Sequence, residues 1–350
     1  MGKMSVVTFM PYFPDREIDE HFGDFHLWNW FHAKAKYIKD SALLAYLDQY
    51  FSIYKQPDGK QEDRIAIVET VGSDILTGAP TDSTLLGRFA GSAMLAHLAM
   101  LPVDANDSLF ISTPDNFIAF HQPFDTNVPG GGALQFGSYF RTTWAASDID
   151  ILHFVTPQYV PDPKPGLRDD KLLNGLAKAC STATNPVLTR LFRSLDWVRL
   201  AFNNAPEHPY PARIVAMTTA FEILLDLPET EKARRFSEEL NKLLPANKLP
   251  KTVRMIGKKK NKPVSDNEVG WWCREFYDLR SRVVHGDNLV TADCLTKGID
   301  KVKIAFYLFL ECIRGIFVNV GITTELERAE EFWLHQKWLD IFGFPASAFF

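Results

Sequence analysis

The residue types best suited to chemistry lie close together in REFYDLRSRVVHGDN, at positions 274–288. This stretch places Arg280 and His285 shortly before Gly286. A histidine changes charge near neutral pH and can transfer a proton, while a guanidinium group can hold a phosphate through two hydrogen bonds. Together they suit the cleavage of a phosphodiester bond. Arg280 and His285 are therefore our candidate catalytic residues.

The spacing of this pair is not specific by itself. An arginine followed by a histidine after four to six intervening residues also occurs at Arg16–His21 and at Arg328–His335. A charged surface helix that happens to end in His-Gly would look the same. Evidence from the surrounding elements is therefore needed to distinguish a catalytic pair from a charged surface helix.

A helix predicted over residues 267–285 determines where the pair points. Its apolar stripe consists of Trp272, Phe276, Leu279 and Val283. Gly286 suits the position just after a helix, so His285 lies in the final turn. About 140° around a straight helix separate Arg280 from His285. Either the helix end loosens at Val284 and His285, or a second subunit completes the site.

Two nearby residues are candidates for supporting roles. Arg282 is three residues from His285 and shares its helix face better than Arg280 does. Glu222 lies in an apolar helix predicted over 211–227. It is either a solvent-facing residue at the helix edge or a carboxylate that orients Arg280 or His285.

A basic stretch at 251–263, KTVRMIGKKKNKP, precedes the motif helix and is predicted to be irregular. It is either a solvated loop or the nearest place for contacts with RNA phosphates. The residues that would make such contacts are Lys251, Arg254, Lys258, Lys259 and Lys260. The stretch has no aromatic residue, so base stacking would have to come from elsewhere.

Composition excludes several classes of protein. The 350 residues are 46% hydrophobic and 23% charged with net charge −5, which is typical of a folded globular protein and not of a general polyanion binder. The four cysteines are scattered without a CxxC pair, so neither zinc nor a disulfide framework is expected. The GxxxxGK[ST], GxGxxG, HExxH and GxSxG motifs are missing. We expect no cofactor and no metal.

The N-terminal residues do not resemble a signal peptide, and the most apolar later stretch, 304–320, is interrupted by Glu311, Arg314 and Gly315. We therefore expect a cytoplasmic protein without a membrane segment. An α+β domain is predicted at 1–160, a proline-rich linker at 161–172 and an all-α domain at 173–350. The first domain should contain a long helix over 34–54. Further helices are expected over 185–203, 211–227, 231–244, 267–285 and 296–320.

The segment FYDLRSRVVHG, residues 276–286, resembles the motif of HEPN domains, in particular the Apea-like group. RIVAMTTAFEILLDL, residues 213–227, looks like the helix that precedes that motif, and the resemblance covers roughly residues 180–320. It implies a helical bundle that dimerises and brings two Arg-x4-His motifs into one cleft. On this reading His285 transfers the proton and Arg280 holds the phosphate. Ser281 is the polar residue after the arginine, where the family more often has Asn, Asp or His.

Many such domains are metal-independent endoribonucleases in toxin–antitoxin, antiviral or stress responses. The resemblance therefore implies an RNA-cleaving homodimer that uses the ribose 2′-hydroxyl as nucleophile. The N-terminal domain would then respond to a small-molecule or protein trigger, or hold the nuclease in check. The alternative is a non-catalytic HEPN-like scaffold for dimerisation or nucleotide binding.

Overall fold

The computed structural model describes residues 4–13, 15–56, 58–71, 83–99, 120–125, 134–137, 143–146, 154–155, 168–182, 185–202, 209–244, 253–259, 262–296 and 299–323. These residues form a mixed α+β fold, as expected. The chain divides into two compact units. The first comprises Met1–Met100 and Leu109–Thr182, and the second comprises Leu101–Ser108 and Ala183–Phe350.

The strands described in the first unit are β1 (Met4–Met10), β2 (Asp19–Phe22), β3 (Phe25–Asn29), β4 (Tyr54–Lys55), β5 (Ala66–Thr70), β6 (Phe120–Asp125), β7 (Leu134–Gly137), β8 (Thr143–Ala146) and β9 (Phe154–Val155). Five of them form an antiparallel sheet in the order β2-β3-β5-β1-β6. β1 lies between β5 and β6, and its Thr8 is paired with Val68 on one side and His121 on the other. β4 pairs with β9, and β7 pairs with β8.

The helices described in the first unit are α1 (Trp30–Tyr37), α2 (Ser41–Phe51), α3 (Ser83–Leu98) and α4 (Asp170–Ser181). The single helix predicted over 34–54 is wrong, because two helices occupy that region. Ile38 is extended, and the Asp40 carboxylate accepts hydrogen bonds from the N–H groups of Ala42 and Leu43. Asp40 therefore starts a new helix where the apolar pattern suggested continuity.

The core of the first unit is built from aromatic side chains. Phe9 of β1 contacts the rings of Tyr50 and Phe51 edge to face, and Trp30 packs on Phe51 in the same way. Trp28 is stacked on Trp30, and both are fully buried. Such edge-to-face and offset arrangements are the favoured geometry of aromatic pairs.

Helix α4 belongs to the first unit, so the boundary lies later than the sequence suggested. Residues 161–167 of the predicted linker lie outside the described residues, while Arg168 is buried and bound to Asp15, Glu20 and Asp170. The apolar face of α4 packs against α3 and β2. The second domain was predicted from 173, whereas the division between the units follows Thr182.

The helices described in the second unit are α5 (Pro186–Ala201), α6 (Tyr210–Leu224), α7 (Lys232–Leu243), α8 (Glu268–Val284) and α9 (Lys301–Asn319). All five were predicted to within a few residues. The unit also contains two hairpins, formed by β10 (Val253–Lys259) with β11 (Lys262–Asn267) and by β12 (Leu295–Thr296) with β13 (Ile299–Asp300). The expectation of an all-α domain and of an irregular basic stretch was therefore wrong.

Close helix packing shapes the second unit. α6 packs against α5, α8 and α9, and α7 packs against α8 and α9. Gly315 of α9 lies so close to the end of α7 that an added Cβ would be 2.5 Å from the Leu243 carbonyl oxygen. None of the helices described is both long and apolar enough to cross a membrane.

Candidate functional site

Helix α8 has a defined beginning and end. Asn267 caps its first turn by accepting a hydrogen bond from the Gly270 N–H group (2.7 Å). At the other end the Gly286 N–H donates to the Val283 carbonyl (3.1 Å) and the Asp287 N–H to the Arg282 carbonyl (3.0 Å). This is the Schellman pattern, and Gly286 supplies the left-handed backbone that it needs (φ +87°).

The end of α8 confirms the predicted position of His285. This residue is the C-cap, its side chain is exposed, and its N–H still donates to the Ser281 carbonyl (3.0 Å). Ser281 thus contributes its backbone to the site. Because the helix stays regular through His285, it does not loosen to turn this side chain toward Arg280. Within one chain, the two candidate catalytic side chains leave the helix about 140° apart.

Arg280 lies on the side of α8 that faces α6. Its side chain is half-buried, and its Nε atom is buried without a hydrogen-bond partner. The guanidinium group lies over the ring of Tyr277, 5.7 Å from the centroid. An aromatic face attracts a cation without neutralising its charge. Among the described residues no carboxylate is paired with Arg280, so its charge is not neutralised there.

Glu222 supports Arg280 indirectly. The Tyr277 hydroxyl donates to one Glu222 oxygen (2.7 Å), and the Lys232 ammonium donates to the other (2.8 Å). Burial and the hydrogen bond with Glu222 together raise the pKa of Tyr277 well above its usual value. Glu222 is therefore neither solvent-facing, as the first reading had it, nor a direct partner of Arg280 among the described residues.

The short connection between α6 and α7 brings Lys232 to Glu222. It begins with a hydrogen bond from the Leu227 N–H to the Glu222 carbonyl (3.0 Å). Asp226 and Glu231 both adopt left-handed backbone conformations, at φ 53° and 55°. The loop thereby reverses the chain, and α7 starts with Lys232 beside the carboxylate.

Arg282 has a different environment from Arg280. Two of its nitrogens donate to the two oxygens of Asp293 (3.1 and 3.2 Å), and its Nε lies 3.5 Å from an Asp287 oxygen. These carboxylates, Asp293 foremost, raise the pKa of Arg282. Arg282 was predicted to share the helix face of His285 and to support the site. In the structure its guanidinium group is already bound to the Asp293 carboxylate.

The basic stretch forms the β10–β11 hairpin. Arg254, Lys258 and Lys259 lie on β10, whereas Lys251 and Lys260 lie outside the described residues. Asn267 ends β11 and also caps α8, so the hairpin runs directly into the helix that carries the candidate site.

The structure adds two aromatic residues that sequence reasoning missed, Tyr277 and Trp271. Trp271 lines a cleft between α8, the 3-10 turn Thr291–Cys294 and the start of α9. A signal for Trp271 was present in the sequence. It lies about 100° away from Trp272, and thus off the apolar stripe, where a large aromatic side chain has no core to enter. Tyr277 gives no comparable signal, because its role depends on Glu222, far away in sequence.

No family model, curated protein or solved structure matches this chain. Within the described part of the chain, no cluster of three His, Cys, Asp or Glu side chains is placed to hold a metal ion. We therefore argue a function from the geometry of the second unit. There an exposed histidine shares one helix with an arginine that has no carboxylate partner among the described residues.

Proposed function

We propose that this protein is a metal-independent endoribonuclease of the HEPN type, with α5–α9 as the HEPN-like bundle. One observation carries this proposal. Arg280 lies over an aromatic ring, and its charge is not neutralised by that contact, on the same helix that ends in the exposed His285. Structural arginines are normally paired with carboxylates, as Arg282 is with Asp293. A half-buried guanidinium group with an unsatisfied N–H suits a phosphate ligand.

The reaction would proceed by attack of a ribose 2′-hydroxyl on the adjacent phosphorus. His285 would take the proton of that hydroxyl or return one to the departing 5′-oxygen. Arg280 would stabilise the charge that develops on the phosphorane oxygens. The bond from phosphorus to the 5′-oxygen breaks, which leaves a 2′,3′-cyclic phosphate on one product and a 5′-hydroxyl on the other.

A second copy of the chain would complete the active site. The regular end of α8 keeps Arg280 and His285 apart within one chain, so the arginine and histidine of one site would come from different subunits. Exposed apolar side chains at the end of α8 and just beyond it provide a surface for such a dimer: Val284, Val290 and Leu295 are 54%, 63% and 38% exposed.

The remaining parts of the proposal concern biological context. The lysines and arginine of the β10–β11 hairpin would contact RNA phosphates. The first unit would respond to a small-molecule or protein trigger in the cytoplasm, during an antiviral, toxin or stress response. The motif resemblance alone supports this context.

The second candidate is a non-catalytic scaffold for dimerisation or nucleotide binding. The divergence of Arg280 and His285 within one chain favours it, because two residues on different helix faces can also hold an interface together. The two candidates differ in turnover. Only the nuclease produces cyclic phosphate ends.

The decisive experiment is cleavage of total and transfer RNA by the purified protein in EDTA. We expect His285→Ala to lower the rate by about 10²–10⁴-fold and Arg280→Ala by about 10²–10³-fold. Product ends are identified by direct phosphorylation of the new 5′-hydroxyl and by ligation of the 3′ end, which should succeed only after the cyclic phosphate is removed. Light scattering reports whether each variant remains a dimer.

Two matched controls are available in the described chain. His32→Ala removes another exposed histidine, and Arg193→Ala removes an exposed arginine of α5. Both should cut RNA at the wild-type rate. Activity that survives in both His285→Ala and Arg280→Ala would reject the nuclease site. Variants that become monomeric, in a protein that never cuts RNA, would establish the scaffold.

A further inference from the structure

A cleft of about 350 Å³ lies along the face of α8 that carries Asp278 and Arg282. The 3-10 turn Thr291–Cys294 and Lys301, the first residue of α9, line its other side. Ligand sites usually measure roughly 300–1,000 Å³. A cleft at the lower limit of that range suits a single flat ring system.

The charges of this cleft balance one another. Three cationic and three acidic side chains line it: Arg274, Arg282, Lys301, Glu275, Asp278 and Asp293. The Lys301 ammonium donates to Glu275 (2.6 Å), and Arg282 is bound to Asp293. Because two of the three cations are held by carboxylates, the cleft does not concentrate phosphate groups. A ligand that enters it must be recognised by hydrogen bonds and stacking.

Two lining residues, Asp278 and Trp271, can supply that recognition. No hydrogen bond or ion pair among the described residues occupies the Asp278 carboxylate, and an ionised carboxylate offers two acceptor oxygens. Burial against the cleft wall, and the nearby Glu275, raise the pKa of Asp278 despite the opposing effect of Arg274. The indole of Trp271 provides an aromatic surface.

We propose that the cleft binds a guanine base of single-stranded RNA. Guanine presents two adjacent N–H donors on its Watson–Crick edge, which match the two oxygens of Asp278. Trp271 stacks on the face of the base. No other RNA base has two adjacent donors, so the arrangement selects guanine. The choice of RNA as ligand rests on the proposed function.

The cleft also places the base beside the candidate catalytic histidine. Asp278, Arg282 and His285 are spaced four and three residues apart and share one side of α8. From Asp278 to His285 the helix rises about 10 Å. A guanine held by Asp278 therefore directs its own backbone phosphate toward His285, and cleavage is expected next to guanosine.

The test uses the full-length chain and fluorescently labelled 2′-O-methyl hexanucleotides, which lack the nucleophile and cannot be cut. Three probes are compared by fluorescence anisotropy: one guanosine among uridines, all uridine, and inosine in place of the guanosine. Inosine lacks the 2-amino group and thus one of the two donors. We expect the guanosine probe to bind about tenfold more tightly than the uridine probe and several-fold more tightly than the inosine probe.

Asp278→Asn should remove both preferences, because it replaces one of the two acceptor oxygens with an NH₂ donor that repels the adjacent donors of guanine. Asp278→Glu keeps a carboxylate and should retain part of the guanosine preference. Arg193→Ala, on another helix, should behave as wild type. Should Asp278→Asn fail to fold, the inosine comparison in the wild-type protein decides the matter.

Equal binding of all three probes by the wild type would overturn the inference. It would also be overturned if the inosine probe bound more weakly than the guanosine probe to the same extent in Asp278→Asn as in the wild type. A third contradicting result is displacement of the guanosine probe by an arginine-rich peptide and not by guanosine monophosphate. Guanine-selective binding without RNA cleavage would support guanine recognition and reject the nuclease. Cleavage without base preference would support the nuclease and reject guanine recognition.

Discussion

Arg168 and His26 of the first unit and Arg280 of helix α8 are charged side chains in opposite environments. In the first unit, Arg168 is 2% exposed and binds three carboxylates, while His26 lies between Asp19 and Glu69. On α8, Arg280 is half-buried with an unsatisfied Nε over the Tyr277 ring. Buried charges that have all their partners hold a fold together, whereas an incompletely satisfied one is available to a ligand.

The contrast extends to the energetic role of each group. Removing one member of a complete buried network leaves its partners buried without a counter-charge, so the protein loses stability. Removing Arg280, which has no carboxylate partner in the part of the chain that the structure describes, should leave stability nearly unchanged and affect only the binding of an anion. Stability and activity should therefore respond separately to substitutions in the two places.

The largest loss of stability is expected for Arg168→Leu. Asp15, whose side chain is 7% exposed, then loses its cation, and breaking a buried pair in this way costs about 3–5 kcal/mol. The free energy of unfolding is measured by hydrogen exchange on peptides of β1, β3 and β5. Arg16→Ala, which removes the exposed pair with Asp63, should change it by less than about 1 kcal/mol. Equal effects of the two substitutions would contradict the proposed importance of burial.

A pH dependence is expected from His26. Burial opposes its charge, but the hydrogen bonds with Glu69 (2.8 Å) and Asp19 (3.0 Å) outweigh burial and raise its pKa above 6.5. A raised pKa in the folded state means that the stabilisation is fully present below the unfolded value of about 6.5. It is then lost as the pH rises through the folded pKa.

The measurement is hydrogen exchange of β3 amides between pH 6 and pH 9, corrected for the intrinsic exchange rate. The protection of the wild type should fall over this range, and His26→Gln should remove the slope. His32→Gln, at an exposed histidine, should keep it. At the acidic end, Asp19 has a pKa of about 2. Burial opposes this low value, but hydrogen bonds from Lys36, Tyr37 and His26 outweigh it, so the contribution of Asp19 is lost only as the pH falls from about 4 toward 2.

A smaller effect is expected for Tyr277→Phe. The substitution removes the hydrogen bond to the largely buried Glu222 and should cost about 1–2 kcal/mol in urea unfolding. The ring stays beneath Arg280, so RNA cleavage should remain within a few-fold of wild type. Tyr277→Leu, which removes the ring as well, should reduce cleavage more strongly. Abolished cleavage in Tyr277→Phe at unchanged stability would instead assign the hydroxyl a part in the reaction.

The smallest effect on stability is expected for Arg282→Ala. Its pair with Asp293 is exposed to solvent and salt, so the urea midpoint should hardly move. Arg280→Ala is the informative comparison, because it should likewise leave the midpoint nearly unchanged but lower the cleavage rate by about 10²–10³-fold. A midpoint that drops clearly in Arg280→Ala would show that this arginine has a structural role.

The sequence predicted the helices of the second unit well because their apolar residues recur at helical spacing and their ends carry local signals. Asn185 caps α5, and Gly286 follows α8 with the expected left-handed backbone. The break at Asp40 was missed because a capping side chain was read as a continuing helix. The β10–β11 hairpin was missed because its lysines give no apolar alternation, and a strand pair depends on a partner that composition does not reveal.

The candidate site was predictable only in part. The position of His285 at the helix end follows from local sequence, and the structure confirms it. The partners of Arg280 and Arg282 could not be read from the chain, because Tyr277 acts with Glu222 and Arg282 with Asp293 through contacts between separate elements. Spacing specifies which helix face a side chain occupies, but it does not specify which carboxylate pairs with that side chain in the folded protein.

The loop between α6 and α7 lowers the free energy of unfolding of the second unit. Left-handed backbone at Asp226 and Glu231 stores strain, on the order of 1–3 kcal/mol for each residue. Their side chains compensate in part, through ion pairs with Arg190 and Arg234. Glycine would relieve the strain but increase the freedom of the unfolded chain. Asparagine and aspartate tolerate this backbone better than other side chains do, so Glu231→Asn is the first choice for stabilising the second unit without altering Glu222 or Lys232.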